Sequence, residues 1–267
     1  MLKLNKDSVL GTFAVIISFC LVCSVLVSMA VVALNPFKAA AIADDRQKNI
    51  IKVSGFEVEG KLADTYKKHI EAHLIDVATG EIADEGFTEE QRDAYNFQSL
   101  AKKPDSSVPI PKDQDLAGIL RHSKLMPVYF SKDDEGNVVR VILPFYGQGL
   151  WSTCYGYLAL DPADGNTIEG ITFYDHGETP GLGGEIENPR WQQQWVNKKF
   201  DDEEGNYKFR ILKNPDTTGP GKDFEVDALS GATLTTNGVD HFTHYWFGDA
   251  YKPFLAKLRN GEIINHE

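Results

Sequence analysis

The sequence predicts an α+β protein in which a single N-terminal transmembrane helix precedes an antiparallel-sheet domain with flanking helices. Three observations carry that prediction. Residues 8–37 hold no charge, and residues 12–34 are apolar almost throughout. Between residues 126 and 174, four β-branched and aromatic runs are separated by the turn-formers Asp133-Asp134-Glu135-Gly136-Asn137 and Asp161-Pro162-Ala163-Asp164-Gly165. Strands and helices do not alternate, no internal repeat is present, and no G-x-G-x-x-G follows a strand, which argues against a dinucleotide-binding parallel sheet.

The apolar run comes first. As a helix, residues 12–34 span roughly 35 Å, enough to cross the hydrocarbon core of a bilayer. Ala39-Ala40-Ala41-Ile42-Ala43 could pass for a signal-peptide cleavage site, but the run exceeds the roughly 7–15 apolar residues of a signal sequence. A permanent anchor in the lipid bilayer is therefore expected. Lys3 and Lys6 precede it, which places the N-terminus in the cytoplasm and, in a bacterium, the body in the periplasm on the inner membrane. Asn35-Pro36 is expected to stop this helix, so residues 1–37 form the cytoplasmic N-terminus and anchor and residues 38–45 a tether.

Residues 46–125 read as mainly helical. Asp44 or Asp45 can cap a helix to about residue 53, residues 62–73 suggest a second, and Thr79-Gly80 marks a hairpin-like turn within 74–83. Thr88-Glu89-Glu90-Gln91 has the form of a capping box that opens a helix towards residue 97, and the proline-rich stretch 102–114 reads as a surface loop. Residues 126–267 form the α+β core. Strands are expected at 126–131, 138–144, 155–160 and 167–174, most simply as a meander. A glycine-rich loop at 177–184, a short helix at 189–196 and a strand at 209–213 follow. Val239, Phe242 and Trp246, then Tyr251, Phe254 and Leu258, mark two apolar helix faces at the end.

The net charge is −12. Lys3, Lys6 and Asp7 leave residues 1–37 at +1, so the remainder carries −13. A body so acidic argues against nucleic acid as a partner and against lying on anionic lipid. Any phosphate held here needs a local device. The three cysteines exclude a disulfide framework, and Cys20 and Cys23 read as small residues compatible with lipid.

Three stretches can carry chemistry. In Asp227-Ala228-Leu229-Ser230-Gly231-Ala232-Thr233, small residues and hydroxyls expose the backbone just before a helix, where free N–H groups and the dipole stabilise a phosphate. The same residues also suit an ordinary capping loop closed by Thr235, Thr236 or Asn237, and composition alone favours that reading. In Tyr174-Asp175-His176-Gly177-Glu178-Thr179-Pro180-Gly181-Leu182-Gly183-Gly184-Glu185, four glycines let the backbone approach a flat ligand, and His176 with Glu178 could form an acid/base pair. Around Trp151, the glycines and aromatics of 146–157 could wall an aromatic ring or fill the core equally well. His69 with His73, and His241 with His244, lack the further ligands a metal needs.

Together these motifs resemble the FMN-binding domain family. Asp227…Ser230-Gly231-Ala232-Thr233 is similar to its flavinylation signature, in which FMN is esterified through its phosphate to the last threonine. Gly177-Glu178-Thr179-Pro180-Gly181-Leu182-Gly183 is similar to its isoalloxazine-contacting loop. With one anchor carrying Asn5-Lys6-Asp7-Ser8-Val9-Leu10-Gly11-Thr12-Phe13, the whole chain resembles the single-anchor FMN subunit of the bacterial Na+-translocating NADH:quinone oxidoreductases. The resemblance implies an electron-transfer subunit with one covalent FMN on Thr233, installed by a flavin transferase that uses FAD and a metal ion. Ser230, Gly231 and Ala232 would surround the attachment point, and Asp227 would be read by the transferase. Glu178, Thr179, Leu182 and Gly183 would contact the ring, Trp151 would exclude water from it, and Lys213 would face the reduced flavin's negative charge. No independent substrate turnover is implied. Electrons would pass singly from a membrane redox centre to FMN and on to another subunit's flavin, in a relay from NADH to ubiquinone that drives sodium export. Rival readings are the equivalent subunit of the ferredoxin:NAD+ oxidoreductase, an anchored hydrolase using His176 and Glu178, and a noncatalytic assembly module. The long section 44–114 speaks against the first.

Overall fold

The computed structural model describes residues 9–264. Lys3, Lys6, Asp7 and the 5–8 part of the anchor motif lie outside the described residues. The chain divides between Asp44 and Asp45 into two compact units.

The first unit is helical. Helix α1, Val9–Ser54, contains the stretch Gly11–Asn35, whose mean hydropathy of 2.8 makes it long and apolar enough to cross a membrane. Its apolar side chains point outward on every face, among them Phe13, Ile16, Phe19, Leu21 and Leu26. A helix apolar all round needs an apolar surrounding. The expected stop at Asn35-Pro36 does not occur, and residues 38–45 are helical rather than a loose tether. A single proline costs a helix about 3 kcal/mol, and the four alanines among residues 39–43 that follow it favour helix.

The second unit begins at Asp45 and includes the last residues of α1. Ile50, Ile51 and Val53 are fully buried there, packed with Tyr66, Tyr129, Ile142 and Tyr157. Helix α2, Leu62–His69, leads directly into strand β1, Ile70–Asp76. The sequence suggests one helix over 62–73, but β1 pairs with a later strand and is buried on both sides, so it carries no alternating pattern to betray it. Helices α3, Glu89–Asp93, and α4, Phe97–Ala101, follow. The capping box of α3 forms as expected: Gln91 N–H donates to Thr88 Oγ1 at 3.3 Å, and Thr88 N–H donates to Gln91 Oε1 at 2.9 Å. The helix is shorter than expected because Asn96 starts α4, accepting from Ser99 N–H at 2.9 Å.

Strands β2, Ser107–Pro109, and β3, Arg121–Ser123, form a small hairpin beside the main sheet. The meander follows: β4, Leu125–Lys132; β5, Val138–Gln148; β6, Thr153–Leu160; and β7, Ile168–Asp175. Each pairs antiparallel with its neighbour, and β1 completes the sheet in the order β1-β4-β5-β6-β7. Helix α5, Pro189–Gln193, and the parallel pair β8, Arg210–Leu212, and β9, Glu225–Asp227, lead to helix α6, Thr233–Thr243. A π-helical turn, His244–Ala250, and helix α7, Lys252–Arg259, end the described chain.

The sheet is covered on both faces. One face takes the end of α1 and α2; the other takes α5, α6, the π turn and α7 over a core containing Phe145, Phe173, Trp195, Phe242 and Trp246. Helix α6 lies unusually close to β5. A Cβ on Gly147 would stand 2.2 Å from Phe242 Cβ, and one on Gly238 would stand 2.3 Å from the Gln148 carbonyl oxygen. Missing side chains on both partners therefore set the depth of α6, whose N-terminus opens at one end of the sheet.

Candidate functional site

Three segments far apart in sequence meet at one carboxylate. Glu178 follows β7 and is 5% exposed. Its Oε1 accepts from Trp151 N–H at 2.8 Å and Ser152 N–H at 3.3 Å, and its Oε2 accepts from the Thr235 hydroxyl at 2.6 Å. Burial works to raise its pKa, but the Thr235 hydroxyl and the N–H groups of Trp151, Ser152 and Leu150 outweigh it and hold the carboxyl below its ordinary range. Gly149 and Gly183 make room for it, since a Cβ on either would lie 2.7 Å from a Glu178 oxygen. Gly177 N–H donates to Ser152 Oγ at 2.6 Å and adds a second tie between the loops.

The glycine-rich loop then turns sharply. Leu182 N–H donates to the Thr179 carbonyl at 3.1 Å across Pro180 and Gly181, and Gly181 has φ of +75°. Proline before a left-handed glycine is what a type II turn requires. Thr179 and Leu182 are thereby presented on the surface, while Gly183 is buried against Thr235.

The third segment is the start of α6. Ala232 occupies the N-cap and supplies no side-chain hydrogen bond. Thr233 is the first helical residue and is exposed, as are Ser230, Gly231 and Leu234. The helix begins three residues earlier than its threonines suggest, because neither acts as a cap. Thr235 donates to Glu178, and Thr236 Oγ1 accepts from Leu229 N–H at 3.2 Å. The N-cap residue offers no side-chain acceptor to the first-turn N–H groups beside the Thr233 hydroxyl. Leu182 leans onto this turn, its Cδ2 3.3 Å from where a Cβ on Gly231 would be.

The three segments carry exposed apolar side chains: Trp151 at 68%, Leu234 at 61%, Leu182 at 46% and Leu150 at 42%. Such a group of bare apolar side chains marks a surface meant to be covered. An uncapped helix start for a phosphate, a free hydroxyl at its first residue and apolar side chains around it suit a phosphorylated flat ring such as FMN. A basic cluster is not needed for that arrangement.

The other expected residues are placed as follows. Asp227 is exposed, with its backbone held by Trp191 Nε1–H to its carbonyl at 2.7 Å and by its own N–H to Gln194 Oε1 at 3.2 Å. Lys213 is exposed one residue beyond β8, whose Leu212 stands opposite Asp227. The acid/base pairing of His176 with Glu178 does not form. His176 Nδ1 accepts from Glu178 N–H at 3.1 Å and its Nε2 lies 3.1 Å from Glu187 Oε1, while the Glu178 carboxylate is engaged elsewhere. Sequence reasoning missed Thr235 and Ser152 as site builders. Their hydroxyls carry no local signal, because their partners lie 57 and 25 residues away. No cluster of potential metal ligands occurs among the described residues. His244 is stacked on Tyr207 with ring centroids 4.2 Å apart.

A family model for the FMN-binding domain matches residues 149–247. It begins at Gly149 and ends within the π turn, so it spans all three segments. The NqrC protein of the Na(+)-translocating NADH-quinone reductase of Vibrio parahaemolyticus is 42% identical over 261 residues, 97% of this chain and 98% of that protein. The chain belongs to the NqrC family. The NqrC of Neisseria meningitidis serogroup A is likewise 42% identical, over 97% of both chains. The crystal structure of NqrC from Shewanella oneidensis matches with a TM-score of 0.75 at 31% identity, covering 83% of this chain and 99% of that one. The NqrC of Parabacteroides distasonis matches at 0.63 and 28% identity, over 83% and 96%. Membership of the NqrC family makes this chain part of an oxidoreductase complex and accords with the α+β fold described above.

Proposed function

We propose that this chain carries FMN as a phosphoester on Thr233 Oγ1 and serves as the electron-transfer subunit of a membrane complex that couples NADH oxidation and quinone reduction to sodium export. The observation that carries the reading is the exposed Thr233 hydroxyl at the first position of an uncapped helix. When bound, FMN supplies the redox chemistry. The chain's own residues supply attachment, orientation and shielding. The first-turn N–H groups of α6 would face the phosphate, and the dipole of α6 would favour its remaining charge. Leu182 and Thr179 would line one side of the ring, with Gly183 packed beneath them against Thr235, and Trp151 would keep water from it. Lys213 would approach the reduced ring, Ser230 would lie beside the attachment point, and Asp227 would be read by a flavin transferase during attachment. Gly231 and Ala232 would leave that enzyme room.

The stretch Gly11–Asn35 supports a bilayer anchor. We place the N-terminus in the cytoplasm and the globular unit in the periplasm, where it would meet the other membrane subunits. The NqrC relatives favour this reading over the ferredoxin:NAD+ oxidoreductase one. The separation of His176 from the Glu178 carboxylate removes the geometric basis of a hydrolase.

The test is in-gel flavin fluorescence with intact mass on denatured protein coexpressed with a flavin transferase. Wild type should remain fluorescent and gain the mass of one FMN less water, and Thr233→Val should lose both. A colourless wild type, with the transferase active on another target, would overturn the attachment.

A further inference from the structure

We propose that Glu178 is an ionised latch without a cationic partner, which fastens the three segments of the flavin site and makes that site resist negative charge on the cofactor. The proposal rests on the FMN reading above and deepens it. Sequence resemblance assigns Glu178 to the ring surface, yet its carboxylate is turned inward. It accepts from Trp151, Ser152 and Thr235, and Gly149 and Gly183 close over both oxygens. Among the described residues no lysine, arginine or histidine forms an ion pair with it. The donors that hold it are neutral, so a full negative charge stays in place. A buried charge acts over longer distances than an exposed one, because little solvent screens it.

That field already acts on one neighbour. Cys154, whose Sγ shares the Gly149 gap with Glu178, has its thiol pushed up to about 12 by burial, with Glu178 and Asp175 adding to the effect. Trp151, held through its N–H, and Thr233, two residues before Thr235, are the residues that would bracket the flavin. An electron taken up without a proton adds one negative charge to the flavin, and the Glu178 carboxylate opposes it. The consequence is a lower midpoint potential than a neutral residue would give. Glu178 is thus a positioning residue with an electrostatic role, and the apolar side chains around it are left to touch the ring.

The test compares full-length flavinylated wild type with Glu178→Gln and Thr235→Val, each titrated with dithionite. Glu178→Gln removes the charge and keeps the shape; Thr235→Val removes one hydrogen bond and keeps the charge. The expected result is an upward shift of the midpoint potential in Glu178→Gln, with Thr235→Val melting lower but retaining the wild-type potential. A wild-type potential in Glu178→Gln, or an equal shift in Thr235→Val, would overturn the electrostatic role. A second arm uses flavin-free protein made without the transferase, melted in detergent between pH 7 and 3. A carboxyl held below its unfolded pKa stabilises the fold above that pKa and loses the contribution as pH falls through the folded value. The Glu178→Gln curve should therefore be flatter than wild type in that range. Identical slopes would overturn the latch, whatever the fate of the flavin attachment.

Discussion

At the scale of the residue, the site depends on atoms that are missing as much as on those present. Gly238 makes the point because two effects compete there. Alanine in a helix interior gains about 1 kcal/mol over glycine, but here its Cβ would stand 2.3 Å from a backbone carbonyl oxygen of β5. Overpacking against backbone that cannot rotate away costs about 1–3 kcal/mol. Gly238→Ala should lower stability by up to about 2 kcal/mol in denaturant melts, and a stabilised variant would show that α6 can lift from the sheet. The glycine loop and the residues around Thr233 are legible in sequence because their composition is unusual over a few neighbouring positions. The direction of Glu178 is not, since it is decided by Trp151 and Thr235, 27 and 57 residues distant. The start of α6 misleads partly for the same reason: Thr235 resembles a cap but ties to Glu178, while Thr236 reaches back to Leu229.

At the scale of the element, the four strands of the meander stand where their aromatic and β-branched runs place them, bounded by turns whose chemistry is local. Other elements are not legible in this way: β1, buried on both sides, the continuation of α1 past Pro36, and the three-residue strands β2, which falls in the stretch expected as a loop, β3 and β9. Residues 45–54 accordingly belong to the globular unit. Ile50, Ile51 and Val53 cover Tyr129, Ile142 and Tyr157 on one face of the sheet. Losing a buried isoleucine costs about 2–5 kcal/mol when cut to alanine, and removing the segment strips several such residues at once. A fragment starting at residue 45 should melt cooperatively, while one starting at residue 55 should aggregate or melt far lower. Equal melting by calorimetry would show that the end of α1 is dispensable to the fold.

At the scale of the whole molecule, charge governs the response to acid. Glu71, like Glu178, is held below its ordinary range: burial pushes it up, but Lys132 at 2.6 Å and the nearby His73 and Arg92 prevail. Both carboxyls stabilise the fold above the unfolded carboxylate range and lose that contribution as pH falls through their lower folded values. Tm should hold nearly level down to about pH 5 and decline below about pH 4. A protein whose Tm rises on going from pH 5 to pH 3 would contradict this.

The sheet order has a consequence for biosynthesis. Strand β1 at residues 70–76 must wait for β4 at residues 125–132, about 50 residues later on the ribosome. At roughly 5–20 residues per second, that is a delay of several seconds. During that interval Ile70, Ala72 and Leu74 have no sheet to join, and Ile50, Ile51 and Tyr66 have no floor beneath them. The meander, whose strands need only their immediate neighbours, can close by local contacts once it emerges. The nascent chain therefore meets its greatest hazard before the flavin site exists, in a segment that takes no part in that site.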